Sequence, residues 1–115
     1  PAQSVNLEML VKAVGIDRVS VIDPNDLENS FKVIKEELEQ PGPGVIISRR
    51  PCALLKYVKH APPLKVDSEK CTGCKMCMRI GCPSISFRDG KAIIDQTQCV
   101  GCGVCQQLCK FDAIN

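Results

Sequence analysis

Residues 71–83 read CTGCKMCMRIGCP. Cys71, Cys74 and Cys77 stand three apart, and Cys82 follows after four further residues, with Pro83 behind it. Twenty-eight positions on, the spacing returns as Cys99, Cys102 and Cys105, with Cys109 after three residues. The flanks repeat as well. Val66-Asp67 matches Ile94-Asp95, and CPSISF (82–87) answers to CKFDAI (109–114). Between the copies, ISFRDGKAIID sets Asp89-Gly90 between two apolar runs, a strong hairpin signal. A duplicated unit with a hairpin at its centre implies pseudo-twofold symmetry.

The spacing has a chemical reading. A cuboidal [4Fe–4S] core needs one thiolate on each iron. A Cys-x-x-Cys-x-x-Cys loop wraps three corners, and Thr72-Gly73, Val100-Gly101 and Gly103 are small enough to let the backbone approach. The fourth thiolate has to come from elsewhere. Structural zinc sites use two separated Cys-x-x-Cys-like pairs instead of triplets, so a zinc-binding interaction module is the weaker alternative. A disulfide framework is weaker still. The opening PAQSVNLEML has neither a basic n-region nor a long apolar run, so no secretory leader is read. No stretch approaches the roughly 20 apolar residues of a membrane span. A cytoplasmic protein with no membrane partner is expected, in which cysteines stay reduced and serve metals. The formal charge of +2 would fall to about −2 with two four-thiolate clusters of about −2 each. No basic stripe is present to neutralise phosphates, so a nucleic-acid partner is not expected. The chain begins with Pro1, not Met, which reads as a fragment or a processed product.

The cysteine half resembles the bacterial-type two-[4Fe–4S] ferredoxin domain over about residues 64–115. That resemblance implies two hairpins and two short helices over two clusters, and one-electron transfer at low potential. It also implies crossed ligation, in which the fourth cysteine of each run serves the other cluster. Carried onto these positions, cluster I takes Cys71, Cys74, Cys77 and Cys109, and cluster II takes Cys82, Cys99, Cys102 and Cys105. There are two departures from the family pattern: four residues instead of three before Cys82, and Lys110 where proline is usual. Gly81, free to adopt positive φ, is expected to absorb the extra residue as a bulge, and Lys110 reads as solvated. Met76, Met78, Ile80, Ile85, Phe87, Val104 and Ile114 are expected to pack around the clusters.

The first half has a different grammar, with Cys52 its only cysteine. Leu7, Leu10, Val11 and Val14 mark one face of a helix, with Asn6 as N-cap and Gly15 as its stop. RVSVID (18–23) reads as a strand. Leu27, Phe31, Ile34 and Leu38 mark a second helix. GVIIS (44–48), apolar throughout, reads as a parallel strand buried on both faces. One βαβ crossover is too little sheet to stand alone. The expectation is an α+β chain: residues 1–59 an α-β-α-β piece of a larger α/β domain, 60–65 a linker broken by prolines, and 66–115 the cluster domain. Cys52 reads as a buried free thiol and His60 as exposed. Arg49 and Arg50, at a strand's C-terminal end, read either as ligand-facing or as a solvated or interface pair.

VSVIDPNDLENSFKVIKEELEQPGPGVIISRRPCALL (19–55) is similar to the end of the thiamine-diphosphate-binding domain of 2-oxoacid:ferredoxin oxidoreductases. The matching residues are Ile22-Asp23-Pro24, the Gly-Pro turn before VIIS, and Arg49-Arg50-Pro51-Cys52. Together with the cysteine half, the chain resembles the C-terminal part of the large (alpha) subunits of the indolepyruvate:ferredoxin oxidoreductase type. The resemblance implies oxidative decarboxylation of an aryl 2-oxoacid with coenzyme A. It places thiamine diphosphate and Mg2+ in the full-length enzyme and names an external ferredoxin as acceptor. The implied partners are the rest of the alpha subunit and a second (beta/gamma-type) subunit. The family's Gly-Asp-Gly motif with its distant Asn is absent here, so no catalytic residue is assigned to this segment. A free-standing ferredoxin-like carrier with an N-terminal extension is the alternative.

Overall fold

The computed structural model describes residues 4–115, and the Pro1 start lies outside the described residues. Contacts divide the chain into two units, one reaching Arg50 and one from Pro51 onward. No helix among the described residues is long and apolar enough to cross a membrane.

In the first unit, Asn6 opens helix α1 (Leu7–Ala13) by accepting the Met9 N–H on its side-chain oxygen at 2.9 Å. Asp26 does the same for α2 (Leu27–Leu38), accepting from Asn29 N–H at 3.1 Å. Such caps satisfy donors the first turn leaves without partners. Strands β1 (Val19–Ile22) and β2 (Val45–Ser48) pair in parallel, from Val19 opposite Val45 to Ile22 opposite Ser48, with α2 as the crossover. The expected burial of β2 on both faces is not met. Only Ile47 is buried, Val45 and Ile46 are half-buried and Ser48 is exposed. Two strands have too few neighbours to close both faces. The buried set of this unit is Ile22, Ile47 and Ser30, whose hydroxyl donates to the Asp23 carbonyl at 3.0 Å. The apolar stripe of α2 stays in solvent, with Phe31 67% and Leu38 81% exposed.

Ion pairs tie this unit together. Arg18 donates to Glu37 (3.2 Å) and to the carbonyls of Pro41 (2.6 Å) and Gly42 (2.9 Å), holding the loop between α2 and β2. Arg49 forks onto both carboxylate oxygens of Glu8 at 2.7 Å, and Arg50 donates to Asp23. Both arginines are thus engaged within the unit.

In the second unit, β3 (Ile85–Arg88) and β4 (Lys91–Ile94) form an antiparallel hairpin, Ile85 opposite Ile94. Asp89 (φ 49°) and Gly90 (φ 77°) both take the left-handed backbone that a two-residue type I′ turn needs. Elsewhere Val66 bridges Ile114 in antiparallel sense. Lys65 and Asn115 exchange backbone hydrogen bonds at 2.6 and 3.0 Å, and Asp67 N–H donates to Ala113 O at 2.7 Å. At the hairpin, Asp95 N–H donates to Ser84 O at 2.8 Å. By these bonds Ala113-Ile114 stands where Ser84-Ile85 stands. The flank match of CPSISF to CKFDAI is therefore corrected: the second run carries two more residues between its fourth cysteine and the strand. Asp112, at φ 49°, turns the chain there.

A 3-10 helix (Met76–Ile80) follows the first triplet and one α-helical turn, α3 (Val104–Gln107), the second. The core joins Ile85, Ala92, Ile94, Ala113 and Ile114 to Cys71, Cys77 and Cys105. Within residues 60–65, expected as a linker, Leu64 meets the second run. Leu64 N–H donates to Cys99 Sγ at 3.4 Å, and the Gln96 side chain donates to Leu64 O at 2.7 Å.

Candidate metal centre

Each cysteine run is introduced by an aspartate that folds its own turn. Asp67 accepts Glu69 N–H on its side chain (2.9 Å) and Cys71 N–H on its carbonyl (2.9 Å). Asp95 accepts Thr97 N–H (2.8 Å) and the Thr97 hydroxyl (2.7 Å), and its carbonyl takes Cys99 N–H (3.0 Å). The Thr97 hydroxyl, then the Thr97 amide and the Gln98 side chain, hold the Asp95 carboxyl below its ordinary range. Sequence reading saw these aspartates as repeated flanks and missed their task of aiming the first cysteine of each run.

Inside the loops the backbone turns left-handed. Gly73 has φ 73° and Gly101 φ 64°. A Cβ on Gly73 would overlap the Gly90 carbonyl, and one on Gly101 the carbonyls of Pro62 and Ala61. Where the second run has Gly103 (φ 78°), the first has Lys75 (φ 61°), its ammonium 4.6 Å from the Phe87 ring centre. Gly81 (φ 65°) closes the 3-10 helix, its N–H donating to Met78 O at 3.1 Å. Gly81 thus has the positive φ expected of it, but it ends a 3-10 helix and does not form a bulge.

The thiols form two neighbourhoods. Burial pushes the Cys77 thiol up, and the charges of Cys71, Cys74 and Cys109 add to it. Burial pushes Cys105 up to about 11, with further contributions from Cys102, Cys99 and Cys82. Cys109 thus lies by the first triplet and Cys82 by the second. Cys71 goes the other way. The Ala92 N–H lowers it most, and the Gly73 N–H and nearby Lys91 act in the same direction against burial. Lys91 also donates from its ammonium to Cys71 O.

Cys82, Cys99, Cys102 and Cys105 line one cavity of about 210 Å3, walled otherwise mainly by apolar groups including Leu64, Ile80, Ile85, Ile94 and Val100. Two further sulfur contacts are set: Cys82 Sγ with Ser84 Oγ at 3.0 Å, and Ala113 N–H donating to Cys109 Sγ at 3.4 Å. Among the described residues no three His, Cys, Asp or Glu side chains converge as a single metal ion requires. A four-iron core asks instead for thiolates spread around an apolar cavity, and the second set has that arrangement. No disulfide joins any of the nine cysteines. Cys52 is exposed, correcting the expected buried thiol. It lies beyond the end of β2, in a turn where Leu55 N–H donates to its carbonyl at 3.1 Å, outside either core. His60 and Lys110 are exposed, as read.

The profile of a family described as the 4Fe-4S dicluster domain matches residues 63–110. Curated relatives cover almost the whole chain. The indolepyruvate oxidoreductase subunit IorA of Pyrococcus horikoshii is 40% identical over 98% of this chain. The protein of the same name from Thermococcus kodakarensis is 42% identical over 95%, and that from Methanothermobacter thermautotrophicus 35% identical over 98%. The chain spans 19%, 18% and 18% of those three subunits. Residues 63–110 thus match a 4Fe-4S dicluster domain, and the chain is similar to a segment about a fifth of the length of the IorA subunits.

Proposed function

We propose that this chain is the electron-carrying segment of a larger 2-oxoacid:ferredoxin oxidoreductase. In this reading Cys71, Cys74, Cys77 and Cys109 hold one [4Fe–4S] cluster, and Cys82, Cys99, Cys102 and Cys105 hold the other. The carrying observation is that Cys82 of the first run lines one apolar cavity together with Cys99, Cys102 and Cys105 of the second. The matched hydrogen bonds of Asp67 with Ala113 and Asp95 with Ser84 support a pseudo-twofold arrangement of the two runs. When bound, each cluster takes up and gives back one electron. The chain's own residues exclude water (Leu64, Ile80, Ile85), donate to sulfur (Leu64, Ala92 and Ala113 N–H) and fix the loops (Gly73, Gly101). The uncovered apolar residues of α2 and the half-buried β2 support the first unit being part of a larger α/β domain of the thiamine-diphosphate-binding type. The whole enzyme, in the cytoplasm, would bind thiamine diphosphate and Mg2+ in that missing part. It would oxidatively decarboxylate an aryl 2-oxoacid such as indolepyruvate with coenzyme A. It would work with a second subunit and reduce an external ferredoxin.

Double substitutions test the crossed sets. Anaerobically purified protein should hold about eight irons and eight sulfides. Cys82→Ala and Cys105→Ala, singly or together, should each leave about four irons and the same electron paramagnetic resonance spectrum. Cys82→Ala with Cys77→Ala should leave none. If that second pair retained one cluster, each run would hold its own and the crossed assignment would fall. A colourless wild-type protein carrying zinc would overturn the electron-transfer reading itself.

A further inference from the structure

A groove of about 480 Å3 runs between β4 and residues 65–68. Its floor is apolar, with Val66 and 42%-exposed Ile93, and Lys65, Arg88 and Lys91 stand along it with Asp89 as the one acidic residue. Residues 51–115 hold nine Lys and Arg against five Asp and Glu, whereas residues 1–50 hold six against eight. Two clusters of about −2 each would bring that +4 to about zero, so the positive charge that bears on a partner is the local one of Lys65, Arg88 and Lys91 along the groove. The groove also backs onto a cysteine loop. Ala92 lines it and donates its N–H to Cys71 Sγ, and Lys91 lines it and donates to Cys71 O. One strand separates the groove from the first cysteine of the first run.

We propose that this groove docks an acidic protein electron carrier, and that electrons leave the chain on the Cys71 side, not from the cavity of the second set. The inference rests on the electron-transfer reading above. The argument is charge complementarity joined to proximity. An apolar floor with a positive rim fits a partner that presents carboxylates around an apolar patch. The thin wall brings such a partner close to the Cys71 ligand set. In each encounter the chain gives up one electron and the carrier is reduced by one, with no bond made or broken. Lys65 and Arg88 are exposed and are not among the proposed ligands, so changing them removes no ligand.

The test uses the intact cluster-loaded protein reduced with dithionite, with a small acidic two-[4Fe–4S] ferredoxin as the probe carrier. The Lys65→Glu/Arg88→Glu double variant should keep the wild-type iron content and resonance spectrum. At low salt its second-order rate to the probe should fall about tenfold or more, and its salt dependence should flatten. Lys56→Glu/Lys59→Glu makes the same change in net charge on exposed residues outside the groove and should slow the reaction far less. The milder Lys65→Gln/Arg88→Gln pair should lie between wild type and the charge reversal, and it serves as the readout if the reversal loses iron. Equal rates in the groove variants and the wild type, with iron intact, would overturn the docking site while leaving the electron-transfer reading standing. Equal losses in the groove and Lys56/Lys59 variants would do the same, by showing an effect of overall charge. Wild-type dimers abolished by the double variant would assign the groove to a second copy and overturn the proposal. Absence of iron from wild type would sink both readings.

Discussion

Gly73, Gly81 and Gly101 all hold left-handed backbone, yet their surroundings differ. Nothing stands near a Cβ on Gly81, so Gly81→Ala meets only the backbone penalty of about 1 kcal/mol. At Gly73 and Gly101 the same methyl runs into backbone carbonyls, which cannot swing aside as a side chain can. We expect Gly73→Ala and Gly101→Ala to cost about 2–4 kcal/mol, since strain and displacement add. Denaturation of the loaded protein followed by its cluster absorbance would rank the three. An equal cost at all three would show that crowding plays no part. Lys75→Gly relieves about 1 kcal/mol of left-handed strain and loses a cation–π contact of about 0.5–1 kcal/mol. The expected net change is within about 0.5 kcal/mol of zero, measured in the same assay.

Among the elements, the first unit relies on charged ties more than on core. Arg18 joins the end of α2 to the loop before β2 through three acceptors. Arg18→Met keeps most of the stem and hands those acceptors to water, so a loss of about 0.5–1.5 kcal/mol is expected in thermal unfolding of the intact protein. The Glu8–Arg49 fork anchors the first turn of α1 to the end of β2. The Arg49 hydrogen bond holds the Glu8 carboxyl down at about 2, against an ordinary 4.5. A depressed carboxyl contributes stability that is present above its ordinary value and lost as pH falls through the depressed one. The tie should therefore loosen between about pH 4.5 and pH 2. A carbon-detected titration of Glu8 would locate the midpoint, and Glu8→Gln should remove that part of the acid response. A midpoint near 4.5 would mean the fork does not persist in solution.

At the scale of the whole molecule the two units differ in completeness. The cysteine unit buries a contiguous core around its sulfurs, whereas the described residues of the first unit bury Ile22, Ile47 and Ser30 and leave Phe31, Ile34 and Leu38 of α2 exposed. Residues 51–115 made alone with iron and sulfide should fold and hold both clusters. Residues 1–50 made alone should show little cooperative unfolding by circular dichroism. A sharp transition in the second fragment would count against its being part of a larger sheet. Cluster loading should also depend on pH. Folding without iron keeps the Cys77 and Cys105 thiols protonated, Cys105 up to about 11, and iron must displace those protons. Affinity therefore rises with pH over the neutral range. A chelator should strip iron faster at pH 6 than at pH 8, and the reverse order would contradict thiolate ligation.

The repeat of cysteines, the Asp89-Gly90 turn, the caps at Asn6 and the helix periods were legible in the chain alone, because each follows from local spacing and short-range backbone chemistry. From them came the two-run cluster reading, the hairpin and the α-β-α-β order. The fate of residues apart in sequence was not legible in that way. Only packing placed Leu64 against the second run, set Ala113-Ile114 in the position of Ser84-Ile85, left Cys52 in solvent and tied Arg49 and Arg50 to Glu8 and Asp23. Only packing brought Lys91 against the Cys71 loop and gathered Lys65, Arg88 and Lys91 along one groove. Ligand type and spacing are written locally in the chain. Which sulfur lies beside which, and which charges face a partner, depends on how distant segments share a surface.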